Sequence, residues 1–348
     1  MRRVWVSLSW RALVNVEALN MAETVGNYIK HRRAPIVFYD DATKSYVVKY
    51  VPVISGESIG HAYQVWLAEE AVNAGLNVCK LCRRGEFVKY GARPALQEEG
   101  LPTEVKNLEV AMQLEKELIK RCVVEDIGGF LVPTSVPVKR TALFYVGYMV
   151  PAQDTIKAAV MDPQFHVRHS PSMIGKGEEF PETGQALYYV ELGSAVYTAS
   201  FALDVTGIGR TSTFSVESVV DFKEREKRAK AALKAIYYIL AGMFGAKRTR
   251  FLPDYRLLSV VAAVSKGAPF NVSPGHSKMF VAKTVERGSV FRDLTGSNVE
   301  LYTYVDETDI EMPEEIKKSN TLEELVSNIK TTVLNMLKEI NQNESAPS

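Results

Sequence analysis

The chain has 348 residues, 46% hydrophobic and 24% charged, with a formal net charge of +1. That length buries a full core without staples and suggests about two domains, or one domain with large insertions. The neutral balance excludes a basic footprint over the whole surface, so any nucleic-acid site must be a local patch offset by acid elsewhere. Cys79, Cys82 and Cys122 are too few, and odd in number, for a secreted disulfide framework. No run approaches the ~20 apolar residues of a membrane span, so a cytoplasmic protein with no membrane partner is expected.

In chain order, Val4 to Val16 is predicted as a strand, with Val4, Val6 and Leu8 alternating against Trp5, Ser7 and Ser9. A polar loop follows, with Asn20, Asn27 and the basic run Lys30-His31-Arg32-Arg33. Ile36 to Tyr39 and Tyr46 to Val51 flank a polar turn and predict a hairpin. Ser55 is a good N-cap for a helix over Ser58 to Ala74, and Glu57 suits its first turn. His61 lies on that helix's polar side.

Asn77 to Arg140 reads as an insertion whose clearest helix is Leu108 to Val124, broken by Asp126-Ile127-Gly128-Gly129. Leu143 to Val150 is a buried-type strand. Pro151 to Thr183 reads as a second insertion, with a mobile charged loop at Gly175 to Pro181. Ala186 to Val205 is the longest β signal, with a bulge expected at Gly193-Ser194. Phe222 to Phe244 is an amphipathic helix, and Leu257 to Val264 a strand. Beyond Ser265 the pattern is looser until Thr321 caps a last helix, with Glu324 three residues on. Asn341 to Ser348 reads as a disordered tail. Without its insertions the order is strand, helix, strand, strand, helix, strand. That is the ferredoxin-like plan of RNA-recognition modules, an α+β fold.

Cys79-Lys80-Leu81-Cys82 has metal-ligand and redox-motif spacing, but a second pair is missing, so the thiols are read as ordinary and no metal is assigned. No nucleophile elbow, phosphate loop or dinucleotide fingerprint is present, so no catalytic residue and no cofactor is assigned. Glu17 and Glu23 are read as salt-bridge partners for the basic loop. His166 and His169, with Arg168 between them, suit an anionic ligand. Basic clusters are the strongest signal: Lys30 to Arg33, Lys139-Arg140, and Lys247-Arg248-Thr249-Arg250. Three clusters bracketing one sheet can line a groove for phosphates. The aromatic motif of base-stacking RNA modules is missing, so contact through the RNA backbone is expected.

With these residues in place, the sequence resembles the CRISPR-associated backbone subunit of archaeal type I-A Cascade, the Cas-seven or DevR-type family. The blocks that carry the resemblance are Leu13 to Asn20, Gly26-Asn27, Lys30 to Pro35, Tyr50 to Glu57, Asp126 to Phe130, Gln164 to Arg168 and Gly245 to Pro253. Cys79 to Glu125 and everything past Ser265 match poorly. The resemblance implies a palm (residues 1–76, 141–150 and 186–265), a helical finger (77–140), a thumb (151–185) and a C-terminal extension (266–348).

It further implies a non-enzymatic subunit. Copies would polymerise head to tail along crRNA and dock other Cascade subunits. Target DNA would be read by guide pairing. Asn20, Asn27, Lys30, His31, Arg32 and Arg33 would line the RNA. Ser55 and Gly56 would offer backbone N–H groups to a phosphate, and His61 would face the same groove. Lys139, Arg140, His166, Arg168 and His169 would contribute from the insertions, and Lys247, Arg248 and Arg250 would close the far side. A metal-dependent ribonuclease using Glu17, Glu23 or a thumb acid is the alternative. A transcriptional regulator ranks last, because no helix-turn-helix signal is present.

Overall fold

The computed structural model describes residues 3–169, 185–245 and 252–345. The chain opens with β1 (Arg3–Glu17), β2 (Met21–Val25), β3 (Tyr28–His31) and the hairpin β4 (Arg33–Asp40) and β5 (Ser45–Pro52), and then enters α1 (Gly56–Asn73). A helical stretch follows: α2 (Lys80–Arg83), α3 (Arg93–Glu98), α4 (Leu108–Arg121) and α5 (Val123–Gly128). Short strands β6 (Phe130–Val132), β7 (Val138–Arg140), β8 (Phe144–Val146) and β9 (Val150–Pro151) lead past a 3-10 turn to β10 (Val160–His169) and β11 (Gln185–Asp204). The chain closes with α6 (Phe222–Leu240), β12 (Asp254–Gly267), α7 (Phe280–Thr295), β13 (Asn298–Val305), β14 (Lys317–Ser319) and α8 (Leu322–Ser345).

One mixed sheet carries the fold, in the order β14-β13-β12-β1-β11-β3-β2. β1 is antiparallel to both β11 and β12. The long β11 holds β1 and then β3 along one edge, and β8, β9 and β10 along the other. Alternation sorts the residues between the two faces. Val4, Val6, Leu8 and Trp10 of β1, with Val260, Ala262 and Val264 of β12, join the main core with residues of α1, α6 and α8. Val261 and Ala263 point the other way, into a second core under α7. A third core lies within the helical stretch, around Tyr90, Leu114, Leu118 and Phe130. Each large side chain buried this way stabilises the fold by roughly 1.5–3 kcal/mol.

Most predicted elements stand close to their expected bounds, and the exceptions have physical causes. The strand expected over Leu143 to Val150 is two pieces, because Met149 pairs with Ile54 through two backbone hydrogen bonds and draws the connector off the sheet edge. The helix expected to reach Val124 breaks at Cys122, where the Val123 N–H bonds the Asn77 carbonyl at 3.0 Å. The looser stretch beyond Ser265 holds α7 and β13, and the polar tail is helical as far as Ser345. The expected loop Gly175 to Pro181 lies outside the described residues. No helix among those described is long and apolar enough to cross a membrane.

Candidate nucleic-acid interface

The end of β1 builds the corner. Its register against β11 shifts between Val14 and Glu17, and Val16 takes a φ of 51°. The extra residue lies on β1, opposite Gly193-Ser194, so the bulge expected within β11 belongs to its partner strand. A Cβ on Gly193 would come 2.9 Å from Glu17 Oε1, so glycine leaves room for the inward carboxylate. Glu17 is fully buried. It accepts from the Tyr197 hydroxyl at 2.8 Å and the Leu19 N–H at 2.6 Å, and His31 Nε2 sits 2.7 Å away. His31 Nδ1 lies 2.8 Å from the Arg32 carbonyl, so both ring nitrogens face acceptors. Burial pushes the His31 imidazole down, but the hydrogen bond and charge of Glu17 push it further up, and the net shift is upward. His31 therefore corrects the sequence expectation: its ring is locked in a buried ion pair and has no face for a phosphate.

Asn20, also buried, ties three segments together. Its carbonyl accepts the Arg32 N–H at 2.8 Å, and its Oδ1 accepts the Ser55 N–H at 2.7 Å. Ser55 caps α1 as predicted, its hydroxyl accepting from Ser58 N–H. Gly56 is there because the chain passes over it: a Cβ would meet the Val146 carbonyl at 2.7 Å. Asn20, Ser55 and Gly56 are thus inward-facing positioning residues, with backbone already packed over the start of the helix.

The outward groups sit around this corner. Arg33 is exposed, and half-buried Arg32 has an Nε with no hydrogen-bond partner. Lys30 pairs with Glu23 at 2.9 Å, and the Asn27 amide donates to the Leu187 carbonyl at 3.2 Å. His61 is exposed, edge-on to Phe87 at 5.0 Å. It lines a groove with Ser58, Trp66, Met243, Phe244 and Gly245. Gly245 has a φ of +97°, and a Cβ there would strike Leu19 at 2.5 Å, so the groove's far end is pinned to the residue before Asn20. The chain leaving Gly245 carries Lys247, Arg248 and Arg250, which lie outside the described residues.

Across β11, Arg168 and His169 are exposed on β10, and the His166 ring stacks on Tyr188 at 5.3 Å. One feature escaped the sequence reading. Tyr28, Tyr189 and Phe165 are register partners on β3, β11 and β10 and form a row of neighbouring rings, 5.9 and 5.3 Å between centroids. Phe165 on β10 and the Tyr188-Tyr189 pair on β11 were the available signal, but the row exists only once the register is known.

Residues 8–285 match the family model described as the CRISPR-associated negative auto-regulator DevR/Csa2. The chain belongs to that family. It is 39% identical over 327 residues to a Saccharolobus solfataricus protein named CRISPR-associated aCascade subunit Cas7/Csa2 2, covering 92% of this chain and 98% of that one. It is 30% identical over 328 residues to a Thermoproteus tenax protein named CRISPR-associated protein Cas7/Cst2/DevR, covering 92% and 93%. In fold it is similar to a chain of a CRISPR RNA-guided surveillance complex in its pre-nicking state, with a TM-score of 0.54 and 10% identity, covering 94% of this chain and all of that one.

For this DevR/Csa2 chain the cluster at Lys139-Arg140 splits in two. Lys139 is exposed on β7, beside the core of the helical stretch. Arg140 corrects the sequence expectation: its side chain is wholly buried, donating to Asp126 Oδ1 at 2.5 Å and to the carbonyls of Asp126, Arg210 and Gly207. Arg228 of α6, which sequence reasoning missed, donates to the other Asp126 oxygen at 2.9 Å and to Glu224. Two cations and two anions make up the network, with Glu224 at its partly exposed rim. The carboxylates weighed for a nuclease are engaged as well, Glu17 with its buried donors and Glu23 with Lys30. Among the described residues, the His, Cys, Asp or Glu side chains grouped closely enough to share an ion are Cys79, Cys82 and Cys122, buried and on other elements.

Proposed function

We propose that the chain is a non-catalytic backbone subunit of a type I-A Cascade, polymerising head to tail along crRNA and presenting the guide for pairing with target DNA. The observation that carries this reading is the corner at Asn20. Arg32 and Arg33, the exposed face of α1 at His61, and Gly245, which the basic loop follows in sequence, are pinned to two adjacent buried residues. Arg32 and Arg33, held beside the entry to α1, suit a phosphate backbone, which carries charge at every nucleotide and no sequence information. The family relationship, and the aCascade subunit name of the Saccharolobus relative, support the RNA as a CRISPR guide.

A ferredoxin-like palm fits the strand order β12-β1-β11-β8, the 4-1-3-2 arrangement of a split βαβ fold once insertions are removed. Residues 1–76, 141–150 and 186–265 would be that palm, 77–140 a finger, 151–185 a thumb and 266–348 an extension. The separate cores under α7 and within the helical stretch support those divisions. Asn27, Lys30, Arg32, Arg33 and His61 would face the RNA directly, with His166, Arg168, His169, Lys139 and the loop bearing Lys247, Arg248 and Arg250. Each copy makes a few salt-sensitive contacts, and many copies on one strand bind by avidity.

Co-expression with a CRISPR array tests the reading. The purified protein should carry RNA of uniform length, seen as a raised absorbance ratio and a single band on a denaturing gel. Recovery of RNA-free monomer would refute it. Arg32→Ala should weaken binding equally for unrelated RNA sequences and lower the salt slope by about one.

A further inference from the structure

The break between α4 and α5 brings together three thiols that the sequence keeps apart. Cys122 is extended (φ −148°, ψ 118°), and the bond from Val123 N–H to the Asn77 carbonyl holds the break against the segment entering α2. Cys79 and Cys82 bracket the start of α2. The three Sγ atoms lie within 4.8 Å of one another, and all three residues are free thiols with at most 4% of their surface exposed.

The polar groups around them are incompletely satisfied. Glu125, 2% exposed, accepts from Cys82 Sγ at 3.1 Å through Oε1, while its Oε2 has no hydrogen-bond partner. Lys89 Nζ, buried without a hydrogen bond, is 3.6 Å from that Oε2, and the buried Tyr90 hydroxyl also has no partner. Lys89 and Tyr90 both hold positive φ, 54° and 56°, a conformation that costs about 1 kcal/mol or more for such residues.

We propose that Cys79, Cys82 and Cys122 bind one Zn²⁺ as thiolates, with Glu125, whose Oε1 is 3.1 Å from Cys82 Sγ, the oxygen donor for a fourth position. Thiolate sulfur is the donor that selects a thiophilic ion over Mg²⁺ or Ca²⁺. Zn–S bonds of about 2.3 Å place tetrahedral sulfurs roughly 3.8 Å apart, within about an ångström of the thiols' spacing. Three thiolates and a dication leave one negative charge and a coordinating Glu125 carboxylate adds a second, of which the Lys89 ammonium, 3.6 Å from Glu125 Oε2, offsets one. The Tyr90 O–H is a donor available to a thiolate. Binding releases the thiol protons, so affinity rises with pH. The ion would join the entry to α2 to the α4–α5 junction, holding the root of the helical stretch whether or not RNA is bound.

The test uses the full chain, purified with reductant and without chelator. Elemental analysis should find one Zn²⁺ per chain, and Co²⁺ exchanged into the protein should give thiolate charge-transfer absorption saturating at one equivalent. Cys82→Ser should abolish that absorption, and Glu125→Gln should weaken Zn²⁺ about tenfold or more. If the cysteine variants do not fold, the Co²⁺ titration of the unaltered chain still decides. Protein that takes up neither Zn²⁺ nor Co²⁺ while showing three free thiols on denaturation would reduce the site to a buried thiol cluster and overturn the proposal. A single free thiol and a mass lower by two hydrogens, without reductant, would mean a disulfide and overturn it equally.

Discussion

The arginines at Arg140 and Arg228 and those at Arg32 and Arg33 look alike in a sequence and do opposite things in the fold. The first pair is wholly buried and shares the carboxylate of Asp126, joining β7, α5 and α6 in one neutral network. The second sits at the β1–β4 corner, where Arg33 is exposed and Arg32 is half-buried, its Nε covered and without a hydrogen-bond partner. A wholly buried cation must be fully paired, because its desolvation cost otherwise dominates, whereas an exposed one such as Arg33 carries no such cost. The network is therefore structural machinery, and the corner is the recognition surface proposed above.

Four experiments sharpen or break that contrast. Asp126→Ala should have the largest effect, since it leaves two guanidiniums buried without their shared anion. A loss of about 3–5 kcal/mol is expected in urea denaturation. A loss below about 0.5 kcal/mol would mean that the network is not what holds the insertion to the palm side.

The Glu17–His31 pair should make stability depend on pH. The folded histidine titrates above its ordinary value, so its contribution is complete below about pH 6.5 and fades as pH rises through the raised value, by at most ~1.4 kcal/mol per pH unit. Denaturation midpoints should fall over that window in the unaltered protein and stay flat in His31→Gln. Identical pH profiles would show that the pair does not organise the corner.

Gly245→Ala forces a Cβ against Leu19 at a positive φ and should cost about 1–3 kcal/mol, with weaker RNA binding because the groove's far end moves. Full RNA affinity in a folded Gly245→Ala protein would separate the basic loop from the corner. Arg33→Ala should change stability least, by no more than about 0.5 kcal/mol, while lowering the salt slope of RNA binding by about one. Destabilisation by Arg33→Ala would place that residue with the buried class instead.

Much of this architecture was legible in the residues. Alternation along β1, the Ser55 cap and the Thr321 cap are local signals, set by side-chain period and backbone hydrogen-bonding needs over a few positions. They hold because little in the tertiary structure opposes them. The element order, and with it the family blocks, could be read from the same evidence. α7 and β13 were missed because α7 buries only a narrow stripe, including Phe280, Val281 and Val285, which leaves a weak period to detect.

What the chain alone could not decide is which polar residues face inward. The sequence marks Lys139 and Arg140 as one basic cluster, yet β7 alternation and the distant carbonyls of Gly207 and Arg210 put one outside and the other wholly inside. It marks His31 as part of a cationic run, yet a bulge at the end of β1 delivers Glu17 to its ring. It offers Cys79 and Cys82 without a third ligand, and the break at Cys122 supplies one. Burial and pairing depend on partners far away in the sequence, so they are properties of the packed chain, whereas period and capping are properties of neighbours.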